Sequence, residues 1–327
     1  MRWLGFIWFA GWLVACVPAT EERPTDMTWK TLSGDAPLVI AHRGASGELP
    51  EHTLAAYERA IAQGADFIEP DLVITRDGEL VARHDRYLST TTNVSDMPEF
   101  ADRKTVKPGR DAADWYVEDF TLAELKTLRA RQPRDGRSKA YDDQYEIPTF
   151  DEVLALVARR SEETGRRIGI YPEAKQPGAL NALGFSHDGE LLASLRKFGF
   201  GDGGNPVFIQ CFEAEFLKRM SWKTDIPLAY LISRPPEESP AEISRFAQGV
   251  GANKRLVGDA ASGDTGLLAA AHAEGLAVHI WTLRDDNIGQ GFESIERELE
   301  FYFALGVDGV FADFPEMALE VRARGTP

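Results

Sequence analysis

Short apolar runs of strand character alternate with helical patterns about eight times between Leu38 and Arg324, and that rhythm implies a parallel sheet covered by helices. The extended runs fall at 38–41, 67–73, 167–171, 206–210, 228–232, 250–253, 277–282 and 306–311. The helical ones fall at 53–63, 150–163, 189–197, 213–222, 240–247, 266–274, 294–305 and 315–324. In the first helix Leu54, Tyr57, Ala60 and Ile61 share one face and Gly64 supplies the stop. No glycine-rich dinucleotide fingerprint follows the first strand, which removes the usual reason to choose an open Rossmann sheet. A length of 327 residues and the return to a final strand–helix unit predict a closed α/β barrel, the TIM-type (β/α)8 fold.

One stretch breaks the rhythm. After an extended piece at 79–83, residues 86–148 are polar and irregular, with one helical pattern at 122–129. A segment that long is expected to be a loop insertion after the second strand, on the barrel and not a second domain.

The N-terminal residues belong to no folding unit. Arg2 precedes an apolar run at 3–14 that is too short to cross a bilayer, which is the pattern of a signal peptide. It ends in Leu13-Val14-Ala15-Cys16, which resembles a bacterial lipobox, so 1–16 is read as a signal peptide with lipobox, cleaved before Cys16, which becomes the acylated first residue. Plain cleavage near Ala15 or Ala19 is the alternative. Residues 17–36, rich in Pro, Thr, Asp, Glu and Gly, predict a flexible tether, leaving 37–327 as the folded domain. The expected location is the cell envelope, periplasmic and membrane-attached through Cys16, and Val17 after it is compatible with outer-membrane sorting. With Cys16 acylated, Cys211 is the only thiol left, and its apolar neighbours predict a buried, inert group.

The formal net charge is −16, from 36 basic and 52 acidic residues. Such a surface repels nucleic acid and anionic headgroups, so any phosphate-bearing substrate must be drawn in locally, by a cation or by a few placed basic groups. In a barrel of this kind functional residues gather at the C-terminal strand ends. Glu69-Pro70-Asp71 ends the second strand, and residues two apart on a strand point to the same side. Two carboxylates held together call for a cation or protons between them. The alternative is a pair of exposed acids at a frayed end. Glu173 adds a third carboxylate after the strand at 167–171, followed by Lys175. Such an oxygen set suits Ca2+ or Mg2+ better than zinc. His42-Arg43-Gly44 follows the first strand, and His84-Asp85 the extended piece at 79–83, placing two imidazoles in the same neighbourhood.

Taken in order, these residues resemble the signature of the glycerophosphodiester phosphodiesterase family, nearest its secreted bacterial branch. The resemblance begins with His42-Arg43-Gly44-Ala45-Ser46-Gly47, Leu49-Pro50-Glu51-His52-Thr53, Glu69-Pro70-Asp71-Leu72 and His84-Asp85. It continues through Tyr171-Pro172-Glu173-Ala174-Lys175, Gln210-Cys211-Phe212 and His279-Ile280-Trp281-Thr282, and closes at Gly306 to Pro315. It implies a TIM barrel that releases sn-glycerol 3-phosphate and an alcohol from small glycerophosphodiesters. By position it makes Glu69, Asp71 and Glu173 metal ligands, with Ca2+ favoured over Mg2+, and His42 and His84 the acid/base pair. Arg43 and Lys175 fall on phosphate-contacting positions, Phe212 and Trp281 on pocket-shaping ones, and the insertion on the substrate entrance.

Plainer readings accompany the rest. His52 and His272 lie in helical patterns and are expected at surfaces or partly buried contacts. His187 is expected to be solvated, His279 to line core or pocket, and Asp313 to cap the last helix. Arg43 could merely pair with Glu69 or Asp71. Two rival functions remain: a phospholipase D-type activity on lysophospholipids, and a non-catalytic phosphodiester-binding lipoprotein.

Overall fold

The computed structural model describes residue 1 and residues 29–108, 110–201 and 203–325. The expected signal peptide, Cys16 and most of the expected tether lie outside those residues. Among the described residues no helix is long and apolar enough to cross a membrane.

The strands are β1 (Leu38–His42), β2 (Phe67–Glu69), β3 (Asp71–Ile74), β4 (Leu80–Ala82), β5 (Gly169–Ile170), β6 (Glu173–Ala174) and β7 (Ile209–Cys211). They continue with β8 (Leu228–Ile232), β9 (Gly249–Asn253), a small antiparallel pair β10 (Gly258–Asp259) and β11 (Gly263–Asp264), β12 (Ala277–Leu283) and β13 (Gly309–Ala312). Parallel pairing runs from β1 through β2–β3, β5–β6, β7, β8, β9 and β12 to β13, and β13 pairs back with β1. The sheet is therefore closed into a TIM-type barrel, as the alternation predicts.

Two staves are interrupted by proline, the one read at 67–73 and the one read at 167–171, which continues past its expected end. Pro70 separates β2 from β3 and Pro172 separates β5 from β6, because proline has no N–H for the ladder. Each break leaves a carboxylate beside it, and the register pairs Asp71 with Glu173. β4 folds back antiparallel on β3.

Ile40, Phe67, Tyr171, Ala229 and Phe311 fill the barrel interior, with Tyr171 and Phe208 stacked at 5.1 Å. His279 bonds the Tyr171 hydroxyl at 2.8 Å there, so it is a core group. The larger apolar layer lies between sheet and helices, where Phe150, Leu154, Phe216 and Tyr302 are buried. Helix ends follow local chemistry. Thr53 caps Leu54–Gln63 by accepting from the Ala56 N–H, and Thr149 with Glu152 forms a capping box for Phe150–Thr164.

Several expectations need correction. Residues 29–36 are not tether, because the Trp29 ring meets Phe303 edge-on at 6.0 Å and Leu32 N–H donates to Asp308 at 2.6 Å. An indole reaching an apolar groove outweighs the polar composition around it. His187 opens the helix His187–Lys197 fully buried, with Nε2 3.1 Å from the Leu72 carbonyl, and burial lowers its pKa to about 4. The helix expected at 122–129 is one turn, Leu122–Leu125, because Ala130 leaves it to bridge Thr92. The insertion has its own small core, in which Leu88, Phe100, Trp115, Phe120 and Ile147 pack on Val73 and Val81. Cys211 is buried and its Sγ lies 3.3 Å from the Ala174 carbonyl, as its sequence setting predicts.

Candidate active site

The C-terminal strand ends open into a cleft of about 240 Å³. His42, Arg43, Glu69, His84, Glu173 and Lys175 line its polar side, and Phe212 with Trp281 lines the other. Of the nine residues singled out in the sequence only Asp71 is not on the wall; it lies just behind, 1% exposed.

Glu69, Asp71 and Glu173 each place a carboxylate oxygen within 4.8 Å of the others. Glu69 accepts from the Arg43 backbone N–H at 2.9 Å and from Gln210 Nε2 at 3.0 Å. Glu173 accepts from Lys175 Nζ at 2.8 Å. Asp71 Oδ2 lies 2.9 Å from His52 Nε2, while its buried Oδ1 has no hydrogen-bond partner, Lys175 Nζ standing 3.5 Å away. Three converging buried carboxylates with an oxygen left over fit a hard divalent cation.

Their proton affinities agree. Burial, then Asp71 and Glu173, push the Glu69 carboxyl well above its usual range. Burial pushes Glu173 up to about 8 against the pull of Lys175. Asp71 is held well below its usual range, because Lys175 and the His52 bond outweigh its burial. Without a cation the cluster therefore holds protons in place of charge.

This has a measurable consequence. A carboxyl with a raised folded-state pKa binds its proton more tightly folded than unfolded, so its contribution to stability falls as pH rises from about 4.5 to about 8. A divalent cation held there would displace that proton, so its stabilising effect would grow over the same window. The rise in melting temperature expected from a bound divalent cation, tested with Ca2+, should increase from pH 5.5 to pH 8 by several degrees. Differential scanning fluorimetry with and without Ca2+ at each pH measures it, and a rise independent of pH would contradict the assignment.

Local backbone conformation sets the arginine. Arg43 has φ 61°, in the left-handed region, which turns its N–H onto Glu69. Gly44 follows at φ 85°, and a Cβ there would meet the Ala56 carbonyl carbon at 2.6 Å, so the position requires glycine. The Arg43 guanidinium bonds Glu51 at 3.1 Å and lies 3.4 Å from Asp71. The ion pair weighed in the sequence thus exists mainly with Glu51, whose carboxyl is held down to about 2 by Arg43 despite its burial.

His42 and His84 stand on the same cleft. His42 Nδ1 is 2.6 Å from Asp313 Oδ1, and its Nε2 accepts from Arg43 Nε at 3.3 Å. Burial, then the Arg43 charge, lowers its pKa. His84 bonds Asp85 Oδ1 through Nδ1 at 3.0 Å. Phe212, 42% exposed, meets Trp281 edge-on at 5.7 Å, and Trp281 donates to the Gly251 carbonyl at 2.8 Å.

Two plain readings fail here. Asp313 caps no helix; Phe314 holds the N-cap position of Pro315–Arg324, and the Asp313 carboxylate instead bridges His42 and Arg137. His52 is completely buried at φ 54°, bonded to Asp71 and to the Tyr57 hydroxyl at 2.7 Å, with its pKa lowered by burial to about 4. Its neutral ring orients Asp71. The insertion also brings Arg134 and Arg137 to the site, from a segment without periodicity to mark them. Only excess arginine in a polar loop hinted at this.

The model of the glycerophosphoryl diester phosphodiesterase family matches residues 42–317. The chain belongs to that family. A glycerophosphodiester phosphodiesterase of Arabidopsis thaliana is 36% identical over 88% of this chain and 86% of its own length. One from Haemophilus influenzae is 31% identical over 95% of both chains. The crystal structure of an Oleispira antarctica phosphodiesterase with the product sn-glycerol-3-phosphate superposes with a TM-score of 0.64, at 24% identity over 89% of this chain and 98% of that one. That similarity carries the barrel fold, and the closer relatives carry the activity. This glycerophosphodiester phosphodiesterase is a phosphoric diester hydrolase.

Proposed function

We propose that the chain hydrolyses glycerophosphodiesters to sn-glycerol 3-phosphate and an alcohol, with Glu69, Asp71 and Glu173 holding one divalent cation. The observation that carries this is the convergence of three carboxylates within 4.8 Å beside two imidazoles on one cleft wall. The three charges and the unmatched Asp71 oxygen favour Ca2+, which accepts irregular oxygen sets more readily than Mg2+. When bound, the cation supplies charge neutralisation for the phosphate and its transition state.

The protein groups divide the remaining work. Arg43 and Lys175 add positive charge along the phosphate and orient it. Asp313 is held ionised far below its usual range, His42 and Arg137 prevailing over its burial. His42 Nδ1 therefore carries the proton of that hydrogen bond, and the Nε2 lone pair meets only the long 3.3 Å contact from Arg43 Nε, which the attacking hydroxyl would replace. His42 accepts the proton of the attacking hydroxyl, from water or from the glycerol moiety, as its oxygen bonds to phosphorus. As the bond from phosphorus to the leaving oxygen breaks, His84, oriented by Asp85, delivers a proton to that oxygen. If the glycerol hydroxyl attacks, a second round with water opens the cyclic phosphate.

The experiment is release of sn-glycerol 3-phosphate from glycerophosphocholine, measured after chelation and with Ca2+ or Mg2+ restored. Activity should fall at least a hundredfold or so on chelation and return most fully with Ca2+; full activity in chelator would end the metal assignment. The exposed Phe212 beside Trp281 favours a second reading, cleavage of lysophospholipids with an acyl chain along that wall. Faster turnover of lysophosphatidylcholine than of glycerophosphocholine would establish it. Attachment to the envelope through an acylated Cys16 and a periplasmic location belong to the same proposal, supported by the sequence 3–16. A non-catalytic lipoprotein has no need of the His42–Asp313 arrangement.

A further inference from the structure

Arg43, Arg134 and Arg284 line the cleft and Arg137 holds Asp313, and their charges are not equally matched. Arg137 donates to Asp286 at 2.6 and 3.1 Å and to Asp313 at 2.5 Å, so it is neutralised. Arg43 is matched by Glu51 and Asp71. Arg134, from the insertion, and Arg284, from the loop after β12, are not. Among the described residues Arg284 has no side-chain hydrogen bond or ion pair, and its Nε is buried without a partner. The Arg134 Nε is likewise buried and unpartnered, standing 4.0 Å from Asp313, a carboxylate already held by His42 and Arg137. Both line the cleft. They are also close enough to repel, since burial and then the Arg284 charge weaken the hold of Arg134 on its proton.

Two unmatched guanidiniums facing one cleft, in a chain of net charge −16, form a place for an anion. We propose that Arg134 and Arg284 make a second oxyanion subsite, which takes a carboxylate or second phosphodiester on the leaving alcohol. The scissile phosphate already has Arg43, Lys175 and the carboxylate-bound cation of the proposed function, on which this inference rests. The glycerol moiety carries only hydroxyls. A further negative charge in the substrate can therefore come only from the alcohol side, and the guanidinium fork suits either oxyanion. Glycerophosphocholine brings a trimethylammonium to the same place, where the two cations oppose it. The substrate class preferred thus carries a second anionic group, on the leaving alcohol.

The test uses the full chain, saturated with Ca2+, and three substrates: glycerophosphocholine, glycerophosphoserine and bis(glycerophospho)glycerol. In the unaltered protein kcat/KM for at least one anionic substrate should exceed that for glycerophosphocholine. In the double variant R134A/R284A that ratio should fall about tenfold or more, chiefly through KM. R134K/R284K should restore part of it, and salt should erode it. Loss on glycerophosphoserine alone or on bis(glycerophospho)glycerol alone supports the subsite and names its anion. An equal fall on all three substrates would overturn the proposal, because the arginines would then serve the scissile phosphate or the fold. Failure of the unaltered protein to cleave any of the three would count against the hydrolase reading and not against this one.

Discussion

Glu173→Gln is expected to lower turnover by about a thousandfold and to abolish the rise in melting temperature expected on adding Ca2+. The substitution keeps the volume and an oxygen for Lys175 at the 2.8 Å contact, but removes one of three charges within 4.8 Å. Calcium affinity follows ligand charge, so two carboxylates hold the ion far less well. Transition-state stabilisation by a cation is worth several kcal/mol, and about 4 kcal/mol corresponds to the thousandfold loss. The cation-free variant should at the same time be more stable than the cation-free parent at pH 8. Glu173 is a carboxyl whose ionisation is opposed up to about pH 8, and glutamine removes that cost. Lower activity with higher intrinsic stability separates a functional carboxylate from a structural one. Retained Ca2+-dependent turnover, or a less stable cation-free variant, would sink the triad.

How far the sequence foretells this site depends on which physical signal each residue leaves. The barrel is legible because its eight staves are short apolar runs separated by amphipathic helices, a pattern that burial on both faces of a parallel sheet imposes. Glu69 and Asp71 are legible because they interrupt such a run at Pro70, where nothing but a strand end accounts for them. Asp313 leaves no such mark. It precedes Phe314-Pro315 at a helix start, where a capping acid is the commonest occupant, and only the fold brings it across 271 residues of chain to His42. His52 reads as helical surface because Thr53 begins a true helix, yet its left-handed backbone turns the ring inward to Asp71. Arg134 and Arg137 belong to a stretch without periodicity. Their placement depends on the insertion folding over Val73 and Val81, a tertiary event with no local code. Local patterns thus give strand ends and what they carry, while partners supplied by loops require the assembled barrel.

Asp313→Asn tests the residue that the sequence placed least well. It should lower kcat by about a hundredfold or more while leaving the cation-dependent thermal shift in place, because Asp313 is not among the clustered carboxylates. In the proposed mechanism the ionised carboxylate, 2.6 Å from Nδ1, fixes the proton there and stabilises the imidazolium that would form when Nε2 takes a proton. An amide can satisfy Nδ1 by presenting either its oxygen or its NH2, so it no longer enforces that tautomer, and it brings no charge to the imidazolium. The direction of the pH effect is fixed as well. Burial and Arg43 already lower the His42 pKa, and Asp313 gives the largest upward pull, ahead of Asp71. Its loss should therefore move the acidic limb of the kcat/KM profile to lower pH, with a lower plateau above it. A variant that lost activity through misfolding would lose the Ca2+ shift too. If Asp313→Asn lowered activity with no movement of that limb, or left kcat near the parent value, His42 would not be the base that Asp313 prepares.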